Sequence, residues 1–222
     1  MKLAHRIVLI ASVVVCSLQL AHAQDPCSQG TAFRHCPACG KTQRANLKQL
    51  NVLKNRGRKA TNPQPITVAE MRDAANDTVF TPSRKVAVTA FVASVVFGGN
   101  KETCNCKRTD LRDVHINVVA DPSEVGNERK YVIVEFTPRW EKRFNFDDSD
   151  YPAMVQAVKG QIEGKWVKFE GYMMRDFVHA GESGSTAPDV PTCTQGGPKP
   201  CVWRATPWEV HPATAYTVVT GP

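Results

Sequence analysis

The spacing of apolar positions changes character three times along the chain. Residues 7–21 form an uncharged, mostly apolar run behind Lys2 and Arg6, ending in Ala21-His22-Ala23, the small-x-small pattern of a signal-peptidase site. Its fifteen residues fall short of the ~20 that cross a bilayer core. The pattern predicts a cleaved signal peptide over 1–23 and a periplasmic or secreted mature chain with no membrane span. Helical spacing then takes over, with Leu47, Leu50 and Leu53 on one side of a basic stretch. Asn62-Pro63-Gln64-Pro65 breaks the chain, Thr67-Val68-Ala69-Glu70 has capping-box spacing, and Val68, Met71 and Ala75 predict a short helix over 68–75.

From Lys85 the period becomes two. A long first strand, rich in β-branched residues, runs to Phe97. A second, near 113–120, turns Val114, Ile116 and Val118 inward, and a third, over 130–137, does the same with Val132, Val134 and Phe136. Pro152 opens a helix carrying Met154, Val158 and Ile162 on one side, with Gly164 near its end. A fourth strand over 165–174 buries Val167 and Phe169, a Gly/Ser/Pro/Thr-rich loop fills 180–203, and a fifth strand runs from Thr206 past a break at Pro212 to Val219. Three strands, a helix and two more strands is the element order of an OB-fold. The sequence thus predicts a mainly β chain: a five-stranded OB-fold barrel over 84–220 with one helix between strands three and four, preceded by a Cys-containing, partly helical extension over 24–83.

The same alternation turns polar residues outward. On strand two these are Asp113, His115 and Asn117, on strand three Glu135 and Thr137, and on strand five Glu209 and His211. An OB barrel sets strand three between strands two and five, so these residues are expected on one exposed face, where OB-folds bind oligonucleotides and oligosaccharides. His115, Glu135, Glu209 and His211 are candidate ligands for a divalent metal such as zinc, since imidazole and carboxylate suit that ion. Alternatively, one carboxylate orients a histidine as a general base. Arg139, Asp176 and His179 are candidate rim residues of that face. Against these readings, outward strand positions are usually polar, and cross-strand His/Glu pairs also stabilise an ordinary solvated sheet.

Charge adds little. The net charge of +7 falls to +5 without Lys2 and Arg6, a mild bias towards anionic partners and far below a dedicated nucleic-acid binder. Residues 41–60 carry seven Lys or Arg and no acid, and are expected to be a solvated tether in preference to an anion-binding patch. Seven cysteines follow the signal: Cys27, Cys36, Cys39, Cys104, Cys106, Cys193 and Cys201. Export makes disulfides their expected fate, and an odd number leaves one thiol over. Cys36-Pro37-Ala38-Cys39 also resembles half of a zinc ribbon, but no second C-x-x-C completes it. Cys104 with Cys106 and Cys193 with Cys201 lie in loops that the fold makes neighbours, so disulfides stapling these loops across the mouth of the face are expected.

The motifs Asp113-Val114-His115, Val134-Glu135-Phe136-Thr137-Pro138-Arg139, Gly171-Tyr172 with Asp176 and His179, and Trp208-Glu209-Val210-His211-Pro212, with Leu53-Lys54-Asn55-Arg56 before the barrel, resemble a set of exported bacterial OB-fold proteins without an assigned activity. The resemblance implies the same fold and the same residues, and no reaction. It does not cover the cysteines. Three functions follow as expectations. The first is a module that binds an anionic or sugar-like ligand on the outward face; nucleic acid is weakly supported there, because few aromatics are available to stack on bases. The second is a metal-dependent hydrolase of phosphodiester type on the same residues. The third is a structural or partner-binding protein that uses 41–60.

Overall fold

A computed structural model describes residues 25–222 except 29, 31, 75–77, 148 and 195–197; the expected signal peptide lies outside the described residues. Its principal elements are α1 (Ala45–Lys54), β1 (Gln64–Ile66), α2 (Val68–Arg72), β2 (Lys85–Phe97), β3 (Val114–Val119), β4 (Val132–Phe136), α3 (Pro138–Glu141), α4 (Tyr151–Ile162), β5 (Trp166–Arg175) and β6 (Trp208–Val219). Strands β2 to β6 are the five expected from the alternation. β1 was not expected: the residues after the Asn62-Pro63 break pair in parallel with the start of β2, Gln64 opposite Val86.

The five long strands close in the order β2-β3-β4-β6-β5, with β5 returning to β2. All pairs are antiparallel except β4 with β6, which makes the barrel mixed and matches an OB-fold. The interior is the expected one. Val114, Ile116, Val118, Val132, Val134, Phe136, Trp208 and Val210 belong to one buried cluster with Val86, Val88 and Phe169.

α4 closes one end of the barrel. Asp150 caps it by accepting the Ala153 amide at 3.1 Å, Pro152 stands in its first turn, and Met154, Val155, Val158 and Ile162 are buried in the barrel core. Between β5 and β6 the register shifts on both sides of Gly171, which faces Ala213. A Cβ on Gly171 would come within 2.4 Å of the Pro212 carbonyl, so only glycine lets the two strands pass this closely.

The extension is packed, which corrects the expectation of a solvated tether. Leu50, Asn51 and Lys54 of α1 are buried. Asn51 donates to the Cys39 carbonyl, Asn55 to those of Ala38 and Cys104, and Thr214 of β6 accepts the Ala60 amide. α2 ends at Arg72 and carries the capping box read from Thr67 and Glu70; Ala75, the last residue of the predicted stripe, lies outside the described residues.

The cysteines pair as Cys27–Cys39, Cys36–Cys106 and Cys193–Cys201, and Cys104 is a buried free thiol. One unpaired thiol was expected. The pattern is otherwise a correction: the long loops before β3 and before β6 are not stapled to each other, because Cys106 is drawn to the extension and Cys193 closes a short loop of its own. Cys36 and Cys39 enter different disulfides, which removes the zinc-ribbon reading of that segment.

Candidate functional site

The register brings the outward polar residues together as the alternation requires. His115 on β3 stands opposite Glu135 on β4, and Ile133 on β4 opposite Glu209 on β6. The face they form is not exposed, however. Asp113, Glu135, Asp176, Glu209 and His211 are all at most 1% exposed, because α1, Asn55 and the loop over 98–113 lie over them. Strand alternation separates the two sides of a sheet but carries no information about what covers each side, so the residues were legible and their burial was not.

The result is a continuous polar cluster. His115 Nε2 is 3.1 Å from Glu135 Oε1, and Glu135 Oε2 is 3.0 Å from His211 Nδ1. The same Nδ1 lies 3.2 Å from Glu209 Oε2, and Glu209 Oε1 accepts from Arg204 Nη1 at 2.5 Å. Asp113 Oδ2 lies 3.8 Å from His211 Nε2 and 3.8 Å from the Cys104 sulfur. Glu102 completes the circuit, 3.4 Å from that sulfur, 3.7 Å from His115 and 3.9 Å from Lys54, whose ammonium pairs with Asp176 at 2.7 Å. Asp113 is held in place by the turn beneath it: its carbonyl accepts from the Gly98 amide at 2.9 Å and from the Tyr151 hydroxyl at 2.6 Å.

Burying this many charges is costly unless they compensate one another. Lys54, His115, Arg204 and His211 face the five carboxyls of Glu102, Asp113, Glu135, Asp176 and Glu209. The excess carboxyl is Asp113: burial, then the charges of Glu102 and Glu135, raise it to about 8, so it holds a proton at neutral pH. Burial opposes charge on both histidines, but Glu135 and Glu102 raise His115 to about 9, and Glu135 with Glu209 raises His211 to about 10. Burial likewise opposes charge on Glu209, and Arg204 outweighs it, holding the carboxyl well below its ordinary range. Burial, then Asp113 and Glu102, push the Cys104 thiol well up. A histidine charged at neutral pH is not poised as a general base, and a protonated thiol is not a nucleophile.

The remaining expected residues are placed elsewhere. His179 bonds Glu182 at 2.8 Å and stands edge-on to Trp203, outside the cluster, so it is not a rim residue of the face. Asp176 is no rim residue either, being buried under Lys54. Arg139 turns away into a groove of about 1030 Å³ between the extension and the turn that follows β4. Arg56, Arg58, Arg139, Lys142 and Arg143 line this groove, and none of its described lining residues is acidic. Burial and the charge of Arg143 both lower Arg139, and burial brings Arg56 down to about 10. The charge of Arg143 thus disfavours that of Arg139. Arg139 and Arg56 stack over Phe33 and Tyr172, at 5.4 and 4.6 Å from the ring centroids.

Glu102 and Arg204 were missed from the sequence, and Lys54 entered only as part of the Leu53-Lys54-Asn55-Arg56 motif, without a place in the site. Lys54 carried a usable signal, since it follows Leu47, Leu50 and Asn51 at helical spacing and therefore belongs to the buried stripe of α1. Glu102 and Arg204 lie in irregular segments and carried none. The chain matches no family model, no curated protein and no solved structure.

Proposed function

We propose that this chain is an exported OB-fold module that binds an anionic ligand a few units long, and that the ligand sits in the basic groove beside the barrel, not on the outward strand face. The observation that carries the reading is the groove itself: five cationic side chains and no described acidic one line a volume large enough for a drug-sized or oligosaccharide-sized ligand. A single charge-assisted hydrogen bond from such a guanidinium contributes about 1.5–3 kcal/mol. Phe33 and Tyr172 are already covered by guanidinium groups, which favours an anionic sugar or polyphosphate over stacked bases. Export is supported by the three disulfides and by the absence of any described helix long and apolar enough to cross a membrane. The hydrolase reading has less support, because three of its four expected residues, Glu135, Glu209 and His211, are fully buried and only His115 is partly exposed.

Calorimetric titration of the mature chain with a heparin-derived hexasaccharide and with inorganic tripolyphosphate tests this. Binding of at least one is expected, weakening as salt rises, with a neutral hexasaccharide inert. Arg58 and Lys142 are exposed, so reversing both charges (Arg58→Glu with Lys142→Glu) should leave the fold intact and weaken binding by about tenfold or more, a loss of about 1.4 kcal/mol. An unchanged affinity in that variant, or equal binding of the neutral sugar, would sink the reading.

A further inference from the structure

Several buried atoms of the cluster lack what burial normally demands. His211 Nε2 and Asp113 Oδ1 are solvent-inaccessible without a hydrogen-bond partner, as are His115 Nε2, Glu135 Oε2 and Arg204 Nη2, although a buried polar atom left unsatisfied is destabilising. Asp113 lies against the Cys104 sulfur and His211 against Asp113, and Cys104 is the one described cysteine that the three disulfides leave free. Glu102, Cys104 and Asp113 each offer a donor atom within 4.8 Å of the others, and so do Asp113, Glu135 and His211. Asp113 is common to both sets.

We propose that Cys104 Sγ, Asp113, His211 Nε2 and Glu102 hold one divalent cation of zinc type, in a closed structural site independent of the basic groove. The spacings fit. Asp113 Oδ2 is 3.8 Å from both His211 Nε2 and Cys104 Sγ, and Cys104 Sγ is 3.4 Å from Glu102 Oε2. Zinc bonded to sulfur at about 2.3 Å and to nitrogen or oxygen at about 2.0–2.2 Å gives tetrahedral edges of roughly 3.3–3.7 Å, so Glu102, Cys104 and Asp113 need only small rotations to ligate, while His211, which shares a donor group with Asp113 but not with Cys104 or Glu102, must close on them as the ion binds. The histidine is also oriented for it. Glu135 and Glu209 engage Nδ1, which leaves Nε2 to the ion in the carboxylate–histidine–metal arrangement common at such centres.

The donor chemistry selects the ion. A sulfur and an imidazole with two carboxylates suit zinc and other borderline-soft cations; calcium and magnesium prefer oxygen alone. One thiolate and two carboxylates against a dication leave a single negative charge, moderated by the Lys54 ammonium 3.9 Å from Glu102, which is itself paired with Asp176. This donor set differs from the four residues expected from alternation. Glu135 and Glu209 are positioning residues for His211, and His115 reaches the cluster only through its contacts with Glu102 and Glu135. Four protein ligands beneath a packed extension leave no open position for substrate. The ion therefore ties the loop that carries Glu102, Cys104 and Asp113 to β6.

The test uses the unmutated mature chain, recovered with its disulfides, stripped with a chelator under mild denaturation, refolded with zinc or with cobalt(II), and dialysed. About one equivalent of zinc should remain bound. The cobalt form should show a thiolate-to-metal charge-transfer band with the intense visible bands of a tetrahedral site. Cys104→Ser should remove the charge-transfer band, His211→Gln should weaken binding at least tenfold, and His179→Gln, outside the cluster, should change neither. A folded wild-type chain that retains less than about a tenth of an equivalent overturns the proposal, and so does cobalt bound without a thiolate band. Both deciding readouts come from the wild-type chain, so the test holds even where a variant fails to fold.

Discussion

At the scale of single residues, the energetics of this protein turn on compensated burial. Arg204 and Glu209 are both fully buried and paired with each other: the guanidinium also donates to the Thr206 carbonyl, and the carboxylate also holds His211. A pair of this kind adds little net stability against apolar residues of the same size, yet removing one partner leaves an uncompensated charge. Arg204→Met should therefore lower the unfolding free energy by about 3–5 kcal/mol, and Glu209→Leu by a similar amount. The double variant should cost clearly less than the sum of the two. Urea unfolding of all four chains measures this coupling, and additive losses would show that the pair is not a unit. Glu209 could be placed from the sequence because a strand imposes a period of two. Arg204 could not, since it precedes β6 in an irregular turn where no period operates, and its role is fixed by tertiary contact alone.

At the scale of elements, the extension matters most, and it is where the residue pattern is least informative. The five long strands and the helix between the third and fourth followed from periodicity, because each buries one face in a common core, and the barrel order followed from matching their order along the chain to an OB-fold. The extension has no such core of its own. Its burial is achieved through Asn51 and Asn55, which spend their amide hydrogens on loop carbonyls, and through Lys54. Lys54 at least continues the buried stripe of α1, but asparagines used in this way are indistinguishable in sequence from a solvated surface. The Cys36–Cys106 bond then fixes the extension to the barrel across a separation of 70 residues, against 12 for Cys27–Cys39. On loop-closure entropy the longer bond contributes about 4 kcal/mol and the shorter about 3. Replacing both Cys36 and Cys106 by Ser should cost several kcal/mol in denaturant unfolding and should also uncover Cys104, whose labelling by an alkylating reagent in native buffer should rise by an order of magnitude or more. If labelling does not change, the extension covers the cluster without needing the disulfide.

For the whole molecule, the cluster sets how stability depends on pH, and the chain kept free of metal by a chelator shows this most simply. Glu209 and Glu102 are held well below their ordinary values, Glu209 by Arg204 and Glu102 by His115 and Lys54, in each case against burial. A depressed carboxyl contributes stability that is present above its unfolded value, near 4.5, and is lost as pH falls through its folded value. His115 and His211 have the opposite sign. Raised to about 9 and about 10, they contribute fully below an unfolded value of 6.5 and lose that contribution as pH climbs to 9–10. Asp113, raised to about 8, adds a loss that begins earlier: between its unfolded value of 3.8 and about 8 the folded carboxyl keeps a proton that the unfolded one has given up, so its contribution falls across that whole range. The three trends meet in mild acid. Thermal unfolding of the chelated chain should peak at about pH 4.5, fall on the acid side, decline gently to about pH 6.5, and fall more steeply between about pH 7 and 10. Substituting His211→Gln should flatten the alkaline limb, since that site no longer binds a proton, while leaving the acid limb in place. A chelated wild-type chain whose midpoint rises steadily from pH 6 to 9 would mean that the two histidines are neutral in the folded state and that the cluster is not charge-balanced as described.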